Sequence, residues 1–166
     1  MYTENRTIDD GRGESANMRA DRNWNELMQE LRVMQTGAQV LTGFLLAVAF
    51  QPRFTELSRA QLAFYLTLVV LATLATILSI APVVLHRALF RKGVKPRLVT
   101  YGTRFVSIDL VIVLSLTVGV LTFIVQFALG DHAAWIALIV SVTVVAGVLV
   151  TISGISRKAR RVDLDD

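Results

Sequence analysis

The chain has 166 residues, 54% of them apolar, a formal net charge of +4 and no cysteine. That apolar share exceeds ordinary globular composition, and the lack of cysteine excludes disulfides, thiol nucleophiles, iron–sulfur clusters and Cys-ligated zinc. The apolar residues gather in blocks of about twenty, the length at which a helix rising ~1.5 Å per residue crosses ~30 Å of hydrocarbon, so the pattern is that of a membrane protein.

Residues 1–22 mix five acidic side chains (Glu4, Asp9, Asp10, Glu14, Asp21) with four arginines (Arg6, Arg12, Arg19, Arg22) and contain no apolar run. This is not the pattern of a cleavable signal peptide, and it predicts a disordered, solvated tail. Asn23 followed by Glu26 has capping-box character, which predicts a helix from about Trp24. Trp24, Leu27, Met28 and Leu31 share one face while Asn25, Glu26, Gln29 and Glu30 fill the rest, as in a helix meeting a membrane surface. Beyond Val33 the helix is apolar enough to enter the bilayer, giving a first span over 33–50.

Gln51, Pro52 and Arg53 open a short turn that ends by Leu57, and Ser58 with Gln61 makes a second capping box. Residues 62–85 carry no charge and form the second span, with Pro82 loosening its last turn. The segment from His86 to Arg104 holds Arg87, Arg91, Lys92, Lys95, Arg97 and Arg104 with no acid, and Gly93 and Pro96 break it into two helical shoulders. A third span follows over 105–129, interrupted by Asp109, and Gly130, Asp131 and His132 make a tight turn with Asp131 as N-cap of a fourth span over 133–155. Residues 156–166 form a polar, charged C-terminal tail.

Of the 17 Lys and Arg residues, all but Arg53 and Arg59 fall in the N-terminal tail and helix start, the middle loop and the C-terminal tail. Positive loops resist translocation, so this bias places both termini and the middle loop in the cytoplasm, with two short turns outside. The expected fold is an all-α integral four-helix bundle of the plasma membrane, N-in and C-in, spanning 23–155.

On span 1, Gln29, Arg32, Thr36, Gln39 and Gly43 recur at helical spacing, flanked by Gln35 and Thr42. Such groups cost free energy in hydrocarbon unless partnered, so this face should look into the bundle or at another subunit, either as interhelical glue or as an ion path. Asp109 is the one carboxylate well inside an apolar segment, about a turn past Arg104, where it reads as a structural ion pair or a proton or cation site. Its expected partner is Arg32, then Arg104 or His86, so the candidate polar cluster is Asp109, Arg32, Gln35, Gln39, Arg104 and His86.

His86 and His132 fall at opposite membrane faces and cannot share a metal, so no metal or cofactor site is expected. The loop cations Arg87, Arg91, Lys92, Lys95 and Arg97 fix topology and can contact anionic lipid headgroups. Nucleic acid is not an expected partner, because the basic charge adjoins apolar spans and has few aromatics for base stacking. Ala75 with Ser79, Ser115 with Gly119 and Gly147 with Thr151 allow close helix approach within the chain or between copies. Neither a Gly-rich phosphate loop nor a zincin or nucleophile-elbow pattern is present, so no enzymatic activity is expected.

The segment N-W-N-E-L-M-Q-E-L-R-V-M-Q-T-G from Asn23, with F-L-L at Phe44, F-Q-P-R-F at Phe50 and A-P-V-V-L-H-R at Ala81, resembles an uncharacterised family of small actinobacterial membrane proteins. The resemblance covers roughly Asp21 to Arg161 and brings no assigned active site. A sodium/proton antiporter label attached to some members implies transport as one expectation. The leading expectation is a non-enzymatic accessory or structural membrane protein, self-associating or docked on another membrane protein; the alternative is a small cation or proton translocator using Asp109, Arg32, Gln35 and Gln39.

Overall fold

The computed structural model describes residues 16–89 and 95–165, with side-chain surroundings for 18, 19, 21–85, 87 and 101–157. Four long helices account for nearly all of it: α1 (Ala16–Ala49), α2 (Arg59–Leu89), α3 (Lys95–Leu129) and α4 (Asp131–Asp165). Each contains a segment long and apolar enough to cross a membrane: Asp21–Ala49, Arg59–Leu85, Tyr101–Leu129 and Asp131–Arg157. A short 3-10 turn, Pro52–Glu56, lies between α1 and α2.

The helix ends differ from the sequence expectations in instructive ways. α1 is already helical at Ala16, the first described residue and inside the stretch expected to be tail, so Asn23 is an interior residue rather than a cap. Met18, Arg19, Ala20 and Arg22 are good helix formers, and Arg22 Nε lies 4.0 Å from Glu26 Oε1 one turn on. Residues 1–15 lie outside the described residues, as does most of the middle loop at 90–94, including Arg91, Lys92 and Gly93. Pro96 stands at the head of the second shoulder. It falls in the first turn of α3, where a missing N–H removes no helix bond.

The Ser58 capping box forms: the Ser58 N–H donates to Gln61 Oε1 at 2.9 Å and the Gln61 N–H to Ser58 Oγ at 3.3 Å. Asp131 is not the N-cap of α4. That place belongs to Gly130, whose carbonyl accepts the Ala134 N–H at 3.2 Å and whose φ of +90° is a left-handed value suited to glycine. Asp131 instead stands in the first turn, where a carboxylate faces the positive end of the helix dipole, and it accepts from Gln126 Nε2 at 2.9 Å. α4 also continues past 156 to Asp165, through the residues expected to form a tail.

The core lies among α1, α2 and α3. On α2 the buried residues Tyr65, Leu68, Ala72, Ala75, Ser79 and Pro82 alternate spacings of three and four, the 3.5-residue period of coiled-coil packing. α3 answers with Val106, Asp109, Leu116, Val120 and Phe123, and α1 with Leu27, Leu31, Ala38, Leu45 and Val48. Leu45, Leu68, Ala72, Leu116, Val120 and Phe123 form the main cluster, while Leu27, Leu31 and Val106 form a second near the start of α1. Close approach of α2 to α3 depends on Gly119, whose missing Cβ would collide with Leu68 Cδ2.

At the far end of the bundle Tyr65 Oη donates to the Leu45 carbonyl at 3.2 Å, and its ring meets Phe54 edge-on at 5.0 Å, fastening the 3-10 turn to the core. α4 packs on α3, and among its described residues only Ala134 is buried.

Candidate functional site

The contacts fix how depths correspond between helices. α1 and α3 run in the same direction, since the Cα of Gly102 near the start of α3 faces Trp24 and Leu27 near the start of α1. α2 runs opposite, with Leu68 against Gly119. Stepping along these registers at ~1.5 Å per residue puts Asp109 level with Leu31 to Met34 on α1 and with Leu78 and Ser79 on α2.

Asp109 is 1% exposed, and neither carboxyl oxygen has a hydrogen-bond partner among the described residues. It occupies a core position of the α3 heptad that Val106 and Leu116 fill with hydrocarbon. Opposite it on α2, buried Ser79 turns its hydroxyl back onto its own helix, donating to the Ala75 and Thr76 carbonyls, both at 3.0 Å. Buried Pro82, on the same side of α2, has no N–H to offer the Leu78 carbonyl.

Among the described residues, the expected polar cluster does not assemble around Asp109. Arg32, Gln39 and Arg104 are exposed and Gln35 is half-buried. No hydrogen bond joins any of them to Asp109, so the expected Arg32–Asp109 pairing is not formed. The reason is angular: Arg32 points away from the side of α1 that carries Leu31 and Ala38 to the core. The His86, Lys95 and Arg97 side chains lie outside the described residues, while Arg87 is exposed. Among the described residues no group of three or more His, Asp or Glu side chains could hold a metal.

The polar stripe of span 1 is likewise placed differently from one of its two expectations. Asn25, Gln29, Arg32, Thr36, Gln39 and Gly43 are all exposed, on the side of α1 opposite Leu27, Leu31, Ala38 and Leu45. Within one chain this face does not look into the bundle. The register sets Gln39 level with residues 114–117 of α3, the middle of the Tyr101–Leu129 span. An amide thus stands at mid-membrane depth on the outer side of the bundle, making no hydrogen bond within the described residues.

Sequence reasoning did not foresee a crevice where α4 leans away from α2. Its mouth, about 410 Å³, is lined by polar groups including Gln61, Gln126 and Asp131, and an apolar cleft of about 550 Å³ continues from it past Phe64, Thr122 and Leu138. Only the Ser115–Gly119 pair hinted at it, and that pair was legible as close packing alone.

No curated protein and no solved structure shows significant similarity to the chain. A family model does match, over residues 13–153, which covers the four helices from the start of α1 to near the end of the last membrane-crossing segment. The chain therefore belongs to a family of unknown function (DUF6328).

Proposed function

We propose that this multi-pass protein is a non-enzymatic accessory or structural component of a plasma-membrane assembly, working through helix–helix association, with both termini cytoplasmic. One observation carries the reading: the stripe from Gln29 to Gly43 is uncovered although it runs along a membrane-crossing helix. Glutamine, arginine and threonine side chains in hydrocarbon cost several kcal/mol unless partnered, on the order of a lost hydrogen bond each. A partner helix removes that penalty and gives the stripe its purpose. The basic residues near the middle loop, Arg87, Arg91, Lys92, Lys95 and Arg97, would hold the cytoplasmic face to anionic headgroups.

Extraction from native membranes in mild detergent, followed by particle-mass measurement, tests this. The expected particle exceeds the 18.3 kDa of one chain plus detergent, and Gln39→Leu combined with Gln29→Leu shifts it toward the single chain. A wild-type protein that is monomeric at every detergent concentration overturns the reading.

A second reading, small cation or proton translocation of the sodium/proton antiporter type, is favoured by Asp109, buried and without a hydrogen-bond partner among the described residues. Its test is ion-driven proton flux in proteoliposomes. Flux that vanishes in Asp109→Asn would move this reading ahead of the first.

A further inference from the structure

α1 carries two heptad lines on opposite sides. The buried one binds α2 and α3. The uncovered one, Asn25, Gln29, Arg32, Thr36, Gln39, Gly43, Leu46 and Phe50, alternates spacings of four and three along the whole crossing, and every member is exposed. That is the spacing a second helix pair needs, and the polar members set this line apart from the neighbouring exposed one of Val33, Gly37, Val40 and Phe44.

The chemistry of the seam points to what lies across it. A rotation axis along the membrane normal is the symmetry open to copies inserted in one orientation, and it brings each residue opposite itself at equal depth. Gln39 then meets Gln39 near the middle of the bilayer, and an amide is its own complement, with a carbonyl to accept and an NH2 to donate. One turn further on, Gly43 has nothing within 4 Å of where a Cβ would stand, so two backbones can approach there. Thr36, one turn earlier, already satisfies its hydroxyl on the Arg32 carbonyl at 2.9 Å and offers a compact flank.

Arg32 would be the difficult layer in such a pair. Helical side chains lean toward the N-terminus, however, which carries the guanidinium to the membrane surface at which α1 begins and past the Gln29 carbonyl of either helix.

We propose that the uncovered face of α1 is a homotypic interface, in which two copies of this chain pack α1 against α1 in parallel through Gln29, Thr36, Gln39 and Gly43. This rests on the association reading above and names its occupant as a second copy.

Because the chain has no cysteine, single-cysteine variants of the full protein report proximity without background. Thr36→Cys, Gln39→Cys and Gly43→Cys lie on the seam. Gly37→Cys and Phe44→Cys lie off it, and Thr73→Cys is an exposed α2 position at similar depth. Copper-phenanthroline oxidation in native membranes should give the disulfide dimer at 36, 39 and 43 and little at 37, 44 and 73. Adding Gln39→Leu to Gly43→Cys should lower the dimer about fivefold, the scale of one interhelical hydrogen bond. Equal dimer at all positions, or none at 36, 39 and 43, overturns the homotypic interface. In the second case, an extracted particle holding an unlike subunit at fixed ratio leaves the association reading standing, and a single-chain particle removes both.

Discussion

Asp109 is the residue whose surroundings and chemistry disagree most. Both of its oxygens are buried and without a hydrogen bond among the described residues, and such a carboxyl group destabilises a fold by roughly 1–3 kcal/mol relative to an apolar group of similar shape. Asp109→Val is therefore expected to raise the thermal unfolding temperature in detergent, by an amount set by that penalty. A lower temperature would mean that the carboxyl has a partner outside the described residues. Gly119 poses the opposite problem. Leu68 is 1% exposed and already fills the place of its Cβ, so Gly119→Ala forces a core side chain aside and should lower stability by about 1–3 kcal/mol, as overpacking does. Gly147→Ala serves as the control, since open space surrounds that position, and it should be neutral or slightly stabilising. Thermal melts of the purified variants check both.

At the scale of elements, α4 packs on α3 but adds least to the core. The heptad lines of α1, α2 and α3 interlock, whereas α4 buries only Ala134 among its described residues. A chain ending at Gly130 should thus keep a folded α1–α3 core that resists protease in membranes, and its collapse would show that α4 supports the core through contacts made in the bilayer. The number of helices and their apolar segments were legible in the sequence, because twenty apolar residues in a row have few other uses. The Ser58–Gln61 cap was legible for the same kind of local reason. Which side of α1 faces inward was not. Both of its faces repeat at the same period, and of the two places expected for the polar face, the bundle interior or another subunit, the first is taken by the apolar complementarity of Leu31, Ala38 and Leu45 with α2 and α3. The Asp109–Arg32 pairing failed with it, since equal depth along two helices says nothing about the angle at which a side chain leaves its axis. The crevice beside α4 depends on how far one helix leans from another, which no local pattern encodes.

For the molecule as a whole, the uneven charge makes the sharpest claim. Arg53 is the one cation at the 3-10 turn, where it lies 4.0 Å from Glu56 and 5.1 Å from the Phe127 ring centroid, so the turn adds little net positive charge at its end of the bundle. By the order of the spans, the cations of the middle loop and of the segments before the first and after the last span are expected at the opposite end. Moving those across a bilayer against the membrane potential costs about 2.3 kcal/mol per charge for every 100 mV, so insertion should be strongly one-sided. In the cysteine-free background, Thr55→Cys is expected to react with a membrane-impermeant maleimide added to intact cells, and Ser156→Cys only after the membrane is opened. Both positions are exposed, so a difference between them reports sidedness rather than burial. The reverse pattern would invert the protein in the membrane while leaving the α1 seam intact, because a parallel pair needs only that both copies insert the same way. Labelling of both positions in intact cells would mean mixed insertion. The symmetric pairing through Gln39 would then be open to only part of the population, and the disulfide yield at that position should fall in proportion.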